Sequence, residues 1–158
     1  MFEGEVVGIF VAPAAGAPME PRDEVDAIVG AGLAGDRYAD AAGTYSGRRH
    51  SDARRAVTLI EREAIAAARS DGGMALDERE TRRNLVTVGV PLNHLVDREF
   101  LVGPVRLLGV DLSEPCAYLE RETRAGVREA LIHRGGLRAE IIAGGPIRLG
   151  DLVYPASP

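Results

Sequence analysis

The segment from Glu99 to Leu112 constrains the fold of this chain more strongly than any other part of the sequence. It contains two apolar stretches, Glu99–Val102 and Val105–Leu112, which are separated only by Gly103-Pro104. Two strand-like stretches joined by so short a turn predict a β-hairpin. An α/β fold needs a helix between successive parallel strands, and this segment leaves no room for one. The hairpin therefore favours a mostly β architecture.

The other apolar stretches are also short and are bounded by glycine and proline turns. Strands are predicted at residues 1–12, 25–29, 56–60, 84–88, 137–143 and 147–154. Helices are predicted near 61–70, 115–122 and 127–134, with a helical turn at 91–95. Thr58 and Glu61 have the spacing of a capping box before the first helix. Many short strands with few short helices predict a β-barrel, and 158 residues fit one domain spanning 1–158.

Composition and charge exclude several classes of function. The net charge is −5 and the pI is about 5.3, whereas domains that bind nucleic acid usually have a basic pI. All 19 basic residues are arginine, so the chain has no lysine for a pyridoxal phosphate Schiff base or a P-loop. No apolar run is long enough to span a bilayer, and the acidic N-terminus does not resemble a secretory signal. We therefore expect a cytoplasmic protein that contacts neither nucleic acid nor membrane.

A glycine-rich segment, Gly30 to Gly35, has the spacing of a dinucleotide-binding fingerprint. That motif requires a packed helix to begin at the glycines, with its N-terminus facing the pyrophosphate. The residues that follow, from Asp36 to Gly43, have no helical apolar stripe, and Asp36 adds a negative charge. We therefore interpret the segment as a glycine-rich turn at the start of a long polar loop.

The single cysteine, Cys116, is the strongest candidate for a reactive group. It follows Pro115, and proline favours the first position of a helix, so Cys116 is predicted inside the first turn. Free backbone N–H groups at such a position stabilise a thiolate. A buried, inert cysteine that acts as a small hydrophobic residue is an equally good interpretation of position alone. One cysteine excludes an internal disulfide and a multi-cysteine zinc site.

No partner for Cys116 can be named from the sequence. The three histidines, His50, His94 and His133, have no metal-ligand spacing. His133 follows the next predicted helix and is the only candidate base, but a surface histidine at a helix end explains it better. A cysteine hydrolase is therefore a weak hypothesis.

Arginines are concentrated near two of the predicted strands. Arg37 and Arg55 lie in or beside the long loop, and Arg82-Arg83 directly precede the strand that includes Asn84. Forked guanidinium donors of this kind can bind phosphate or another oxyanion, and Asn84 can bind a polar ring edge. The alternative is that most of these arginines are solvated surface residues that bind no ligand.

Several short motifs, taken in order, resemble the MOSC family, named for the C-terminal domain of molybdenum cofactor sulfurase. Each motif is weak alone, but the ordered set covers nearly the whole chain. The motifs are Gly32-Leu33-Ala34-Gly35-Asp36-Arg37, Arg55-Ala56-Val57-Thr58-Leu59-Ile60 with Glu63, Arg82-Arg83-Asn84-Leu85-Val86-Thr87 with Gly89-Val90, Phe100-Leu101-Val102-Gly103, Glu114-Pro115-Cys116 and Gly145-Pro146-Ile147-Arg148-Leu149-Gly150-Asp151.

The resemblance implies a β-barrel similar to that of pyruvate kinase, and a functional cysteine at Cys116. In the family this cysteine is thought to carry sulfur or to ligate molybdenum in a pterin cofactor (molybdopterin), and a soft thiolate suits both tasks. The resemblance also implies that Arg37, Arg55, Arg82, Arg83 and Asn84 lie near the cofactor. We expect Arg82, Arg83 and Asn84, with Arg37 from the glycine-rich loop, to line one cleft together with Cys116.

The chain also departs from the family. Tyr38 follows Gly-Asp-Arg where many members carry histidine, and we expect the pyridoxal-dependent desulfurase domain of the sulfurases to be absent. The extra N-terminal domain of the amidoxime-reducing members is expected to be absent as well. The resemblance implies two possible activities. One is sulfur transfer, with a separate cysteine desulfurase as donor, and the other is a part in a molybdenum-cofactor oxidoreductase. The alternative is a non-catalytic barrel that binds an anionic ligand, with Cys116 as a packing residue.

Overall fold

The computed structural model describes residues 1–39 and 56–157. Within them the chain forms a β-barrel with short helices on its outside. Its strands are β1 (Gly4–Val11), β2 (Glu20–Pro21), β3 (Glu24–Ile28), β4 (Gly32–Leu33), β5 (Val57–Glu61), β6 (Leu85–Val88), β7 (Glu99–Val102), β8 (Val105–Leu112), β9 (Leu137–Ala143), β10 (Gly145–Arg148) and β11 (Leu152–Pro155). The mostly β fold class predicted from the sequence is confirmed.

Seven of these strands close the barrel in the order β11-β7-β8-β9-β5-β6-β1, because β1 also pairs with β11. All of the pairs are antiparallel except β5 with β6. The hairpin of β7 and β8 forms as predicted, with Val102 opposite Val105. β2 pairs with the end of β1, and a small second sheet has the order β10-β3-β4.

Three α-helices and two 3₁₀ helices connect the strands in the described part of the chain. They are α1 (Arg62–Gly72), α2 (Ala117–Glu122), α3 (Val127–Ala130) and the 3₁₀ turns Glu78–Thr81 and Leu92–Leu95. The predicted capping box does not form, because Glu61 is the N-cap of α1 and makes no side-chain capping bond. The Thr58 hydroxyl instead donates to Asn84 Oδ1 at 3.1 Å. None of the helices in the described ranges is long and apolar enough to cross a membrane.

Two apolar clusters stabilise this arrangement. The first fills the barrel, where Phe100, Leu59, Leu85 and Leu107 are fully buried. The second lies between the barrel wall and the three α-helices, and Cys116 packs against it as a partly buried member. Alternation along the strands sends neighbouring residues to different clusters, so Leu85 faces the barrel interior and Val86 faces the helices. Cys116 is therefore fixed on the helical side of the wall.

A depression of about 400 Å³ lies where β1 begins and β6 ends. Phe2, Pro91, Leu95 and Pro155 form its apolar lining, together with the polar side chains of His94 and Arg98. None of the predicted site residues that the structure describes lines it. Arg82, Arg83 and Asn84 precede β6 and are thus at the opposite end of that strand.

Candidate functional site

The predicted site residues come from segments that meet where β1 ends, β6 begins and β8 ends. Phe10 N–H donates to Asn84 O at 2.7 Å, which joins the first two segments. Ser113 N–H donates to Gly136 O at 2.7 Å, which joins the end of β8 to the start of β9. Residues far apart in sequence are thereby brought to one end of the barrel.

Asp36 anchors the glycine-rich loop to the end of β1. Its carboxylate is fully buried and accepts hydrogen bonds from Ala12 N at 3.1 Å and Tyr38 N at 3.3 Å. It also pairs with Arg37 Nη1 at 3.2 Å. Gly35 precedes it with φ +85°, a conformation that favours glycine. The glycines of this segment therefore turn the chain so that Asp36 can reach inward.

Arg37 is held at the same place. Its Nη1 contacts Asp36 and, at 3.5 Å, Met19 Sδ. Its guanidinium carbon lies 4.8 Å from the centre of the Tyr38 ring, within the range of a cation–π contact. Arg37 is therefore a buried, oriented cation and not part of a solvated surface.

Arg83 is buried and uses its guanidinium to bind main-chain carbonyls. Nε donates to Gly135 O at 2.7 Å, Nη2 to Ser113 O at 2.8 Å and Nη1 to Thr81 O at 3.3 Å. Burial, and then the charge of Arg138, lower the pKa of Arg83 to about 10. At neutral pH the side chain is still a cation.

Arg82 differs from its neighbour. Its backbone lies in the left-handed region, with φ +58°, and Nη1 donates to Ala17 O at 2.8 Å. The residue is only 8% exposed, yet its Nε and Nη2 have no hydrogen-bond partner in residues 1–39 and 56–157. Burial, and then the charge of Arg37, lower the pKa of Arg82, whereas Tyr118 and Glu122 of α2 raise it. Two guanidinium donors beside α2 thus have no acceptor in the part of the chain that the structure describes.

Asn84 connects three strands. Its Oδ1 accepts from Thr58 N at 3.1 Å and from the Thr58 hydroxyl at 3.1 Å, and its Nδ2 donates to Phe10 O at 3.0 Å. Its side chain is buried, and its polar atoms are engaged with β1 and β5. These contacts indicate a structural role, and the predicted contact with a cofactor stays a prediction.

We expect Asn84→Ala to lower the free energy of unfolding by about 2–3 kcal/mol, because buried donors and acceptors on β1 and β5 lose their partner. Urea denaturation measures this change. Asn93→Ala is the matched control, because Asn93 is exposed and bonds only to His133 O, at 2.7 Å. Equal effects of the two substitutions would contradict the structural role of Asn84.

Cys116 is half-buried and is the N-cap of α2, one residue before the helix begins. The sequence predicted it inside the first turn. The difference arises because its backbone is extended, with φ −128° and ψ 172°, so that Pro115 precedes the helix. Arg83 lies close enough for a negative charge on Cys116 to raise the pKa of the guanidinium. Among the described residues, no three metal-ligating side chains come together.

His133 is not positioned as a base for Cys116. It lies at the surface, where its Nδ1 is 2.9 Å from Glu114 Oε2 and its N–H donates to Glu114 Oε1 at 2.8 Å. The structure therefore agrees with the interpretation of His133 as a surface histidine.

The structure gathers Arg37, Arg82, Arg83 and Asn84 at the end of the barrel that Cys116 also approaches. Arg55 lies outside the described residues. The sequence did not indicate that Asp36 anchors the loop or that Tyr38 contacts the arginines. The only signal for either role was that both residues flank Arg37 in the sequence.

Comparisons with known proteins agree with this architecture. The family model described as the MOSC domain matches residues 46–154. The YuaD protein of Bacillus subtilis has a similar fold, with a TM-score of 0.78, 17% identity and coverage of 99% of this chain and 100% of YuaD. YiiM of Geobacillus stearothermophilus has a TM-score of 0.70 and 13% identity, covering 98% of this chain and 75% of YiiM.

YiiM of Escherichia coli has a TM-score of 0.68 and 18% identity, covering 98% of this chain and 70% of YiiM. A search among curated proteins found no significant match. At these identities the solved structures establish similarity of fold, whereas the family match extends over more than half of the sequence. The chain therefore belongs to the MOSC domain family.

Proposed function

We propose that this MOSC domain protein carries sulfur on Cys116 or binds a molybdenum cofactor through it, with Arg82 holding an anionic group nearby. The observation that carries the proposal is the pair of buried Arg82 nitrogens for which the described residues supply no acceptor. Burying guanidinium donors without partners is costly, and such groups are retained where a ligand supplies the missing oxygens.

The chemistry of the donors fits a phosphate-bearing cofactor. Guanidinium Nε and Nη2 form the fork that binds two oxygens of a phosphate. Arg37, close enough to Arg82 to lower its pKa, adds positive charge on the same side. A thiolate at Cys116 is a suitable soft ligand for molybdenum. When bound, a molybdenum cofactor supplies the redox chemistry, while the protein binds and orients it.

The predicted site residues then divide into two roles. Arg82 and Arg37 are the candidates for direct binding, together with Arg55 by family resemblance. The side chains of Arg83 and Asn84 already bond to main-chain carbonyls of the protein, so we assign them the role of holding the site's segments in place. For Arg82 and Arg83 this division follows from which guanidinium nitrogens lack partners among the described residues, and Arg37 is included because its charge acts on Arg82.

Sulfur transfer to Cys116 needs no oxidant if the donor is itself a persulfide. The Cys116 thiolate attacks the terminal sulfur of the donor, a new S–S bond forms, and the donor leaves as a thiolate with the electron pair of the broken bond. The donor would be a separate protein such as a cysteine desulfurase, because a chain without lysine cannot form the pyridoxal phosphate Schiff base itself. We place this exchange in the cytoplasm, where free thiols persist.

A second candidate function is supported by the same arginine. A barrel that only binds an anionic ligand would use Arg82 and Arg37 and would have no need of a thiol at Cys116. Under this alternative, Cys116→Ser would bind the ligand as well as the wild type does.

Mass spectrometry of freshly purified protein tests the proposal. We expect Cys116 to carry one additional sulfur atom that a thiol reductant removes, or molybdenum to copurify in proportion to protein. Cys116→Ser is the control and should abolish either signal without loss of the fold. A wild-type protein with neither extra sulfur nor molybdenum, after incubation with a persulfide donor, would contradict the proposal.

A further inference from the structure

The depression where β1 begins and β6 ends has the size and lining of a small-molecule site. Its volume is about 400 Å³, and ligand pockets in proteins typically measure about 300–1,000 Å³. Three of its apolar lining residues carry rings, and these are Phe2, Pro91 and Pro155. Rigid ring faces suit an aromatic ligand, because aromatic rings pack through offset stacking and edge contacts. The apolar part of the depression therefore favours a ligand that contains an aromatic ring.

Arg98 gives the same depression a positive charge. Its guanidinium has no hydrogen-bond or ion-pair partner within residues 1–39 and 56–157. Glu99 also lines the depression, but its carboxylate pairs with Arg106 Nη1 at 2.8 Å. Because Arg98 is exposed, an incoming ligand can reach its guanidinium. A guanidinium fork beside an apolar surface is suited to a carboxylate, which it can bind through two parallel hydrogen bonds.

Two acidic side chains on the α1 side of the depression have partners of their own. Glu61, which ends β5, accepts a hydrogen bond from the main chain of Leu92 and lies close enough to His94 for their charges to interact. Glu63 Oε2 accepts from Gly89 N at 2.7 Å. His94 of the lining is thus faced by a carboxylate, whereas the neighbouring guanidinium is left for an anionic ligand.

The backbone that leads to Arg98 is held in place by β8. Asp97 lies in the left-handed region, with φ +62°, which is uncommon for residues other than glycine. Its N–H donates to Gly109 O at 2.9 Å, and Gly109 N–H donates to Arg98 O at 3.0 Å. A Cβ at Gly109 would clash with Leu95 O, so the two segments are in direct contact. Such enforced left-handed residues concentrate at binding and active sites, and here one precedes the guanidinium of the depression.

We propose that this depression is a second ligand site, which binds a small aromatic carboxylic acid with its ring in the apolar lining and its carboxylate on Arg98. A neutral compound of the same shape uses only the apolar lining and should bind more weakly. The depression lies at the end of β6 opposite to Arg82. The inference therefore requires neither sulfur on Cys116 nor a molybdenum cofactor.

NMR titration of isotope-labelled protein tests this site with phenylacetate and with phenylacetamide, its neutral counterpart. We expect phenylacetate to bind at least about fivefold more tightly, because charge-assisted hydrogen bonds are roughly twice as strong as neutral ones. The amide signals of the 3₁₀ turn Leu92–Leu95 and of Arg98 should shift on binding. The signals of α2, which lies at the Arg82 end of the barrel, should not shift.

Substitutions separate the contribution of charge from that of the cavity. Arg98→Met should abolish the preference for phenylacetate, while phenylacetamide binds as it does to the wild type. Ala156→Phe fills the depression but keeps the guanidinium, so it should weaken the binding of both compounds. Arg22→Met is the matched control, because Arg22 is an exposed arginine beside the far end of β1 that pairs with Glu20 at 2.9 Å. This variant should bind phenylacetate as the wild type does.

Equal affinities of the wild type for the two compounds would overturn the inference, as would an Arg98→Met variant that keeps the preference. Shifts confined to α2 and the Arg82 end would overturn it too, since they would place the carboxylate at the other site. Arg98-dependent binding that persists in Cys116→Ser would uphold it. That result is independent of the proposed function, which is tested on Cys116 and Arg82.

Discussion

Asp36→Ala should lower the free energy of unfolding by about 3–5 kcal/mol, the cost of breaking a buried ion pair by removing one partner. The substitution leaves the N–H groups of Ala12 and Tyr38 without their acceptor and leaves buried Arg37 without its counter-ion. Folded domains are typically stable by only about 5–15 kcal/mol, so the loss is a large fraction of the total. Urea denaturation monitored by circular dichroism measures it.

Asp26→Ala is the control for this prediction, because Asp26 is exposed on β3 and its side chain makes no bond with the described residues. Its effect should be within about 0.5 kcal/mol. Asp36→Asn adds a finer comparison, since the amide oxygen can still accept from Ala12 while the charge is lost. An Asp36→Ala variant as stable as Asp26→Ala would show that the glycine-rich loop is not anchored through this carboxylate.

Arg82→Met should leave the free energy of unfolding unchanged or raise it, while reducing affinity for inorganic phosphate at least tenfold. The stability expectation follows because two buried guanidinium nitrogens without partners no longer have to be desolvated. The binding expectation follows because a hydrogen bond to a charged group contributes about 1.5–3 kcal/mol, and about 1.4 kcal/mol is tenfold in affinity. Denaturation and titration calorimetry with phosphate measure the two effects.

Arg79→Met is the matched control, because Arg79 is exposed on the preceding 3₁₀ turn and lies 3.7 Å from Asp77. Stability and phosphate affinity should both stay near the wild-type values. The contrast with Arg83→Met is informative too, since that change removes bonds to three carbonyls and should destabilise the protein. If Arg82→Met destabilised the fold and left phosphate binding intact, Arg82 would have only a structural role.

Local patterns were enough to predict most of the elements. The β7–β8 hairpin and the β9 strand have the predicted limits, because their apolar stretches are bounded by glycine or proline turns that act over a few residues. Where the prediction erred, a tertiary contact prevailed over a local pattern. Thr58 bonds to Asn84 and does not cap α1, and because Cys116 is extended, α2 begins at Ala117, two residues after the position expected from Pro115.

The candidate site could be predicted only as a set of residues. Nothing in the sequence distinguishes Arg82 from Arg83, yet two nitrogens of Arg82 find no partner among the described residues, whereas all three of Arg83 bond to carbonyls. The difference depends on acceptors 30 and 52 residues away along the chain. From the sequence, the charge of Asp36 only argued against nucleotide binding. In the fold, its carboxylate accepts a hydrogen bond from Ala12 N and anchors the glycine-rich loop to the end of β1.

By itself, the sequence determined the mostly β class, the absence of lysine chemistry and the identity of the only cysteine. The last two follow from composition, and the fold class follows from apolar patterns that extend over only a few residues. Only the tertiary structure decided how the barrel closes, with Gly4 opposite Val153, and which arginine bonds to carbonyls and which has two nitrogens without a partner among the described residues. The physical reason is that a buried guanidinium takes its role from the acceptors that surround it, and distant segments supply those acceptors only when the chain is folded.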